Sequence, residues 1–153
     1  MKFYLAARYS RRQEMRALAL ILAHEGHLVT SRWINGSHEM DGQTNDLVLS
    51  RYAIEDLADV NCADALVLFT EFPEAEGRKR GGRFVEFGYA AGRNKMIVIV
   101  GPTENVFCHL PGVLRFDHVD LFVLWARENR NEIPAMAAVL TDSEAAAVEM
   151  VGQ

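Results

Sequence analysis

The chain is poor in cysteine: only Cys62 and Cys108, far apart in 153 residues. Two such residues build no disulfide framework and no cysteine-type metal spacing, so a reduced compartment, the cytoplasm, is the simplest reading. His24, His27, His38 and His118 share no ligand spacing either. They read as structural or surface residues, and no metal ion or redox cofactor is expected. Basic charge is also short, with 16 Lys and Arg against 21 Asp and Glu and a net charge of −5. Duplex nucleic acid as the main partner is thereby disfavoured, because phosphate-backbone binding needs a basic surface. A small nucleotide needs only a local positive pocket and stays open. No apolar run reaches the ~18 to 20 residues that span a bilayer, so no membrane partner is expected. Over Met1 to Arg12 the charges follow the apolar stretch, the reverse of a signal peptide. There is no internal repeat and no low-complexity block.

What remains is a balanced globular composition, half apolar and a quarter charged, with a length that suits one domain over residues 1–153. Short apolar runs alternate with amphipathic stretches. Lys2 to Ala7 reads as a buried first strand. Ser10 with Gln13 forms a capping-box pattern before a helix with Met15, Leu18, Leu20, Ile21 and Leu22 on its apolar face, stopped by Gly26. His27 to Trp33 reads as strand two. A polar loop over Asn35 to Gln43 precedes a helix that Thr44 can cap, with Leu47, Ile54, Leu57, Ala58 and Asn61 as its apolar stripe. Asp64 to Phe69 and Met96 to Val100 read as central strands, joined by a charged loop and a helix from Arg83 to Arg93. Val113 to Phe116 reads as strand five, and Val119 to Glu128 as a helix. Thr141 can cap a last helix over Asp142 to Val151. Strands apolar on both faces and alternating with helices predict a three-layer α/β fold around a parallel five-stranded sheet. Ligands sit at the carboxyl ends of strands in such sheets, which directs attention to the segments after strands one, three and four.

Three stretches there could carry chemistry. In Gly81-Gly82-Arg83-Phe84-Val85-Glu86, two glycines let backbone approach a ligand, and a carboxylate follows at the start of a helix. Glu86 either complements the helix N-terminus or acts on a ligand. Asp56 lies on or beside the apolar stripe of the second helix, where burying a carboxylate demands a partner or a role; the alternative puts Asp56 and Asp59 on the wet side. Tyr4 sits inside the first strand, as a core residue whose hydroxyl can reach the sheet edge. Asp64 reads as a residue at the start of strand three or a helix-terminus partner. Trp33 and Trp125 read as packing anchors.

Together, Tyr4, the Asp56-Leu57 to Ala63-Asp64 segment, and Glu86-Phe87-Gly88-Tyr89-Ala90 followed by Lys95 and Pro102 resemble the nucleoside 2-deoxyribosyltransferase superfamily over roughly Lys2 to Val113. The resemblance implies a flavodoxin-like fold and cleavage of the N-glycosidic bond of a nucleoside or nucleotide. Glu86 would attack the anomeric carbon, Asp56 would position the sugar and protonate or orient the leaving base, and Tyr4 would hold the nucleophile. Transfer of the deoxyribosyl group to a second nucleobase is one outcome. Hydrolysis of a nucleoside 5′-monophosphate is the alternative, and a non-catalytic nucleotide-binding module is a third reading. A homodimer or higher homo-oligomer is implied as well. Arg8 and Arg83, with Arg11, Arg12, Arg78, Lys79 and Arg80, either converge on a 5′-phosphate or form a solvated basic loop. Gly82, Asn105 and His109 complete the expected substrate-binding set, His109 being otherwise an ordinary loop histidine.

Overall fold

A computed structural model describes residues 1–36, 38, 45–72 and 81–130. Its five strands are β1 (Lys2–Ala6), β2 (Leu28–Val29), β3 (Ala65–Phe69), β4 (Met96–Val100) and β5 (Leu114–Phe116). They form one sheet in the order β2-β1-β3-β4-β5, and every pairing is parallel. The helices are α1 (Arg12–His24), α2 (Asp46–Cys62), α3 (Gly82–Gly92) and α4 (Val119–Glu128). The expected cap Thr44, the basic stretch Arg78 to Arg80 and the helix expected over 142–151 lie outside the described residues. No helix among the described residues is long and apolar enough to cross a membrane.

The strands are apolar because both their faces are covered. Phe3 points to one side, where its ring meets His27 and Phe122 edge-on at 5.1 and 5.5 Å. Tyr4 must then point to the other side, because successive side chains of a strand alternate. α1 contacts α4 on the Phe3 side, and α2 packs on α3 on the Tyr4 side. All five residues of β3 are buried, as befits the central strand. The chain leaves β1 for β2 at one side and returns across it to β3, so the direction of winding reverses between β1 and β3. In open α/β sheets that reversal leaves a crevice beyond the strands' carboxyl ends.

Several local expectations give way to tertiary contacts. Ser10 caps nothing: it lies in a 3-10 turn, Tyr9–Arg11, and α1 begins without a side-chain cap. The buried stripe of α1 is Met15, Leu18 and Leu22, while Leu20 and Ile21 are exposed. Strand two shrinks to two residues because side chains replace its ladder. Ser31 Oγ accepts from Leu5 N at 2.6 Å, and Trp33 Nε1 donates to Leu5 O at 2.9 Å, which folds Arg32–Asn35 into a second 3-10 turn. Asn45 caps α2, accepting from Val48 N at 3.0 Å. The stripe expected on α2 is overturned: Leu47 and Ile54 are 83% and 66% exposed, and the helix buries Asp59 and Val60 instead. The sheet's pull on Val60 and the Arg32 partner of Asp59 outweigh the apolar count.

The carboxyl edge is locked at β3 and β4. Thr70 N and Oγ1 both donate to Val100 O, at 3.0 and 3.2 Å, and Gly101 N donates to Phe116 O at 2.9 Å. Gly101 has φ +114°, and a Cβ there would sit 2.7 Å from Thr70 Oγ1 and 2.9 Å from Thr70 O. Strain and collision coincide, so Gly101→Ala should lower unfolding stability by about 1–3 kcal/mol, read from the denaturation midpoint.

Candidate active site

Tyr4, Asp56 and Glu86 arrive from β1, α2 and α3 and meet on the Tyr4 side of the sheet. Tyr4 is fully buried. Both carboxylates act electrostatically on its phenol, and burial with these two negative neighbours drives its pKa far above the ordinary value. The hydroxyl therefore keeps its proton and serves as a donor throughout the working pH range. It is shared between Glu86 and Asp56, and is aligned with neither well enough for a full hydrogen bond.

Glu86 is the fifth residue of α3, one turn past the helix start, and no acidic residue stands in the first turn. Complementing the helix N-terminus therefore does not account for it. The residue as a whole is half-buried, and its carboxyl end is the part shielded from water. Burial first, and the Asp56 charge second, raise its pKa from 4.5 to about 8, against the opposing pull of the Tyr4 hydroxyl and Arg83. Asp56 is likewise raised, from 3.8 to about 6, chiefly by burial, with His38 and Tyr4 drawing it down. Two neighbouring carboxylates with separated acidities, one ready to hold a proton and one to lose it, are the usual equipment of acid–nucleophile pairs.

His38 reads in the sequence as a surface or structural histidine, and the fold decides for the structural one. It is buried, its Nε2 lies 3.3 Å from Asp56 Oδ1 and 3.9 Å from Glu55 Oε2, and its ring stacks on Tyr52 at 4.4 Å. Its segment is anchored from α2. Asp59 accepts from Arg32 Nε at 2.9 Å and from Arg32 N at 3.0 Å, so Asp59 is buried and structural, not on the wet side. Asp64 starts β3 by accepting from Lys2 N at 2.7 Å. Lys95 Nζ donates to Asn61 O and Ala63 O, both at 2.7 Å, which closes the carbonyl end of α2.

The expected anion-binding set is only partly assembled. Arg8 and Arg83 do come to the carboxyl edge, but each is already paired. Arg8 Nε lies 2.5 Å from Glu71 Oε2, and Arg83 Nη2 donates to both oxygens of Glu104 at 2.8 Å. Glu71 N donates to Glu104 Oε1 at 2.6 Å, so the four residues form one chain of contacts from β1 to α3. The reading of Arg83 as part of a solvated loop fails, since the residue is buried. Gly82 remains available in the expected sense, with open space where a Cβ would stand. Asn105 and His109 are engaged elsewhere. Asn105 Oδ1 accepts from Phe107 N at 2.9 Å and caps a short 3-10 turn, and exposed His109 meets Arg115 at 3.2 Å. Buried polar atoms lacking a well-aligned hydrogen bond gather in this region: Tyr4 Oη, Asp56 Oδ1, Arg8 Nε, Glu71 Oε2 and Arg83 Nε. Such atoms are uncommon in folded proteins; here Arg8 Nε and Glu71 Oε2 are held by their ion pair, and those of Tyr4 and Asp56 lie where the two carboxyl groups meet the phenol. A cleft of about 980 Å³ lined by Arg11, Glu71, Phe72, Gly101, Pro102 and His118 opens on the same edge. It belongs to the α1/α4 side of the sheet, opposite the side on which the carboxylates converge.

No family model matches the chain, and no curated protein matches its sequence. Solved structures match it in fold. A CMP N-glycosidase from Clostridium botulinum superposes with a TM-score of 0.53 at 16% identity, covering 82% of this chain and 97% of that one. A 2-deoxyribosyltransferase from the psychrotolerant bacterium Bacillus psychrosaccharolyticus superposes with a TM-score of 0.61 at 17% identity, covering 89% and 95%. The fold they share with this chain is the three-layer α/β arrangement with a parallel five-stranded sheet that the sequence pattern predicts.

The raised pKa of Glu86 has a consequence for stability. Its folded value, about 8, exceeds the ordinary 4.5, so the neutral form favours folding below pH 4.5 and that contribution is lost as pH rises through about 8. Glu86→Gln should match wild type near pH 5 and melt at progressively higher temperature than wild type toward pH 9. A pH-independent difference in melting temperature would contradict the burial of this carboxylate. His38→Phe should raise the Asp56 pKa above about 6, read by carboxyl-carbon NMR.

Proposed function

We propose that this chain cleaves the N-glycosidic bond of a nucleoside or nucleotide, with Glu86 as nucleophile, and passes the deoxyribosyl group to a second nucleobase. The observation that carries the reading is the meeting of Glu86, Asp56 and the buried Tyr4 hydroxyl at the carboxyl edge. The fold neighbours support it, since one is a CMP N-glycosidase and the other a 2-deoxyribosyltransferase.

In the first step the bond from the anomeric carbon to the base nitrogen breaks. Its electron pair leaves with the base, which takes a proton from Asp56. An oxygen of ionised Glu86 bonds to the anomeric carbon, relieving the oxocarbenium-like charge and holding the sugar as an ester. In the second step a nitrogen of the incoming base attacks the same carbon, the ester bond breaks, and Asp56 recovers the proton. Water in place of that base would yield the free sugar. Tyr4 donates to the Glu86 oxygen that does not attack and fixes the carboxylate's orientation. His38 acts through Asp56, as a positioning residue. Each step exchanges bonds at one carbon with one proton moved, so the carboxylate pair accounts for the chemistry.

The reactive state has one proton on the pair, held by Asp56 while Glu86 is ionised; because Glu86 is the more basic group, at about 8 against about 6 for Asp56, this is the minor one-proton form of the free protein, and substrate binding must favour it. The kcat/KM profile should therefore be bell-shaped with limbs near those values. Asp56→Asn should lose the alkaline limb, and its remaining acid limb should report Glu86 alone, below about 8 because the Asp56 charge no longer raises it. Nucleosides and 5′-monophosphates incubated with and without a second free base, separated by chromatography, test the activity itself. A new nucleoside formed only with the second base identifies the transferase, and free base released regardless of acceptor identifies the hydrolase. Glu86→Ala should lose turnover by about 10³-fold or more while still binding ligand. Ligand binding by wild type without any cleavage would mean a binding module instead.

A further inference from the structure

Resting on the N-glycoside reading above, we propose that Glu71 and Glu104 are specificity residues that close the site to 5′-phosphorylated substrates by occupying, from within, the arginines a phosphate would need. Arg8 follows the end of β1 by two residues, and Arg83 precedes Glu86 by three on the same helix. A 5′-phosphate hangs from C5′, one carbon outside the small ring that contains the anomeric carbon. A ligand whose anomeric carbon meets Glu86 therefore brings that phosphate to the carboxyl edge these two cations serve.

Both cations are committed to carboxylates of the chain. Arg83 is held through both oxygens of Glu104 at 2.8 Å, and Arg8 by Glu71 at 2.5 Å. The side chains are sequestered, with exposures of 4% and 15% for the Arg83–Glu104 pair and 18% and 15% for Arg8–Glu71. Arg11, at the same edge, is held by Glu14 at 2.7 Å. The Glu71 backbone N–H donates to Glu104 Oε1 at 2.6 Å, which holds the Glu104 carboxylate beside the Arg8–Glu71 pair whatever the Glu71 side chain does. The four side chains sum to zero charge. A phosphate of charge about −2 would have to evict a sequestered carboxylate and leave it unpaired, or sit against it and be repelled. A 5′-hydroxyl demands neither, and it can donate a hydrogen bond to a carboxylate, which a phosphate dianion cannot do. The pair of glutamates thus favours the uncharged nucleoside twice over.

The test is kcat/KM for a deoxynucleoside and its own 5′-monophosphate, measured on wild type, Glu71→Gln and Glu104→Gln, with melting curves to confirm folding. Wild type should favour the nucleoside by about tenfold or more, and both variants should shift that ratio by about tenfold toward the monophosphate. Glu71→Gln is the variant to rely on if Glu104→Gln, which strips the buried Arg83 of its counter-charge, fails to fold. Preference of wild type for the monophosphate, or a ratio that Glu71→Gln leaves unmoved, overturns the proposal. If wild type cleaves neither compound, the catalytic reading fails separately. Calorimetric binding of the two ligands then decides the charge question, tighter monophosphate binding or no binding of either overturning the proposal and tighter nucleoside binding upholding it.

Discussion

A phenol hydroxyl buried in a sheet must meet something polar, and in this protein that requirement organises the active edge. β1 is flanked by strands on both sides and by helices on both faces, so Tyr4 has no route to solvent. The groups that meet its hydroxyl are the carboxylates of Asp56 and Glu86, brought from two helices that pack on one another. Desolvation then does what no single residue could. It keeps the tyrosine protonated, lifts both acids, and separates them by about two pKa units, from about 6 to about 8. The same burial that costs stability creates groups of distinct proton affinity within reach of one another.

The sheet and the order of its elements were legible because they follow from patterning. Apolar runs at β1, β3 and β4 have no polar alternation and can only be covered on both faces. The candidate trio was named through the resemblance, and the fold brings the segments of Tyr4, Asp56 and Glu86 to one side of the sheet. Other features were not legible, for definite reasons. The stripe on α2 was misread because composition cannot show that Arg32 waits for Asp59 across the loop. Strand two was overextended because a serine hydroxyl and an indole nitrogen substitute for its ladder. His38 was missed because its meaning lies in 3.3 Å to a carboxylate eighteen residues away, a distance with no local signature. The arginines were recognised as an anion-binding set without their partners, Glu71 and Glu104, which stand far off in sequence and fall in place only when β3 and β4 lie side by side.

The carboxyl edge therefore holds two electrostatic systems of opposite design. On the Tyr4 side, two carboxyl groups of raised pKa crowd one buried phenol and are short of full hydrogen bonding. Across the switch point, Arg8, Glu71, Glu104 and Arg83 are mutually neutralised and need no ligand. The two systems adjoin at the β1–β3 junction.

The tether at Lys95 gives this arrangement a mechanical side. Asp56 lies six residues before the end of α2, about 9 Å along the helix from the turn whose carbonyls Lys95 holds. Lys95 itself immediately precedes β4. The helix is thus a short rod pinned at its foot to the amino edge of the sheet, with its working carboxylate partway up the shaft. The position of that carboxylate is inherited from the sheet, and its place beside Glu86 follows from the packing of α2 on α3, not from any loop.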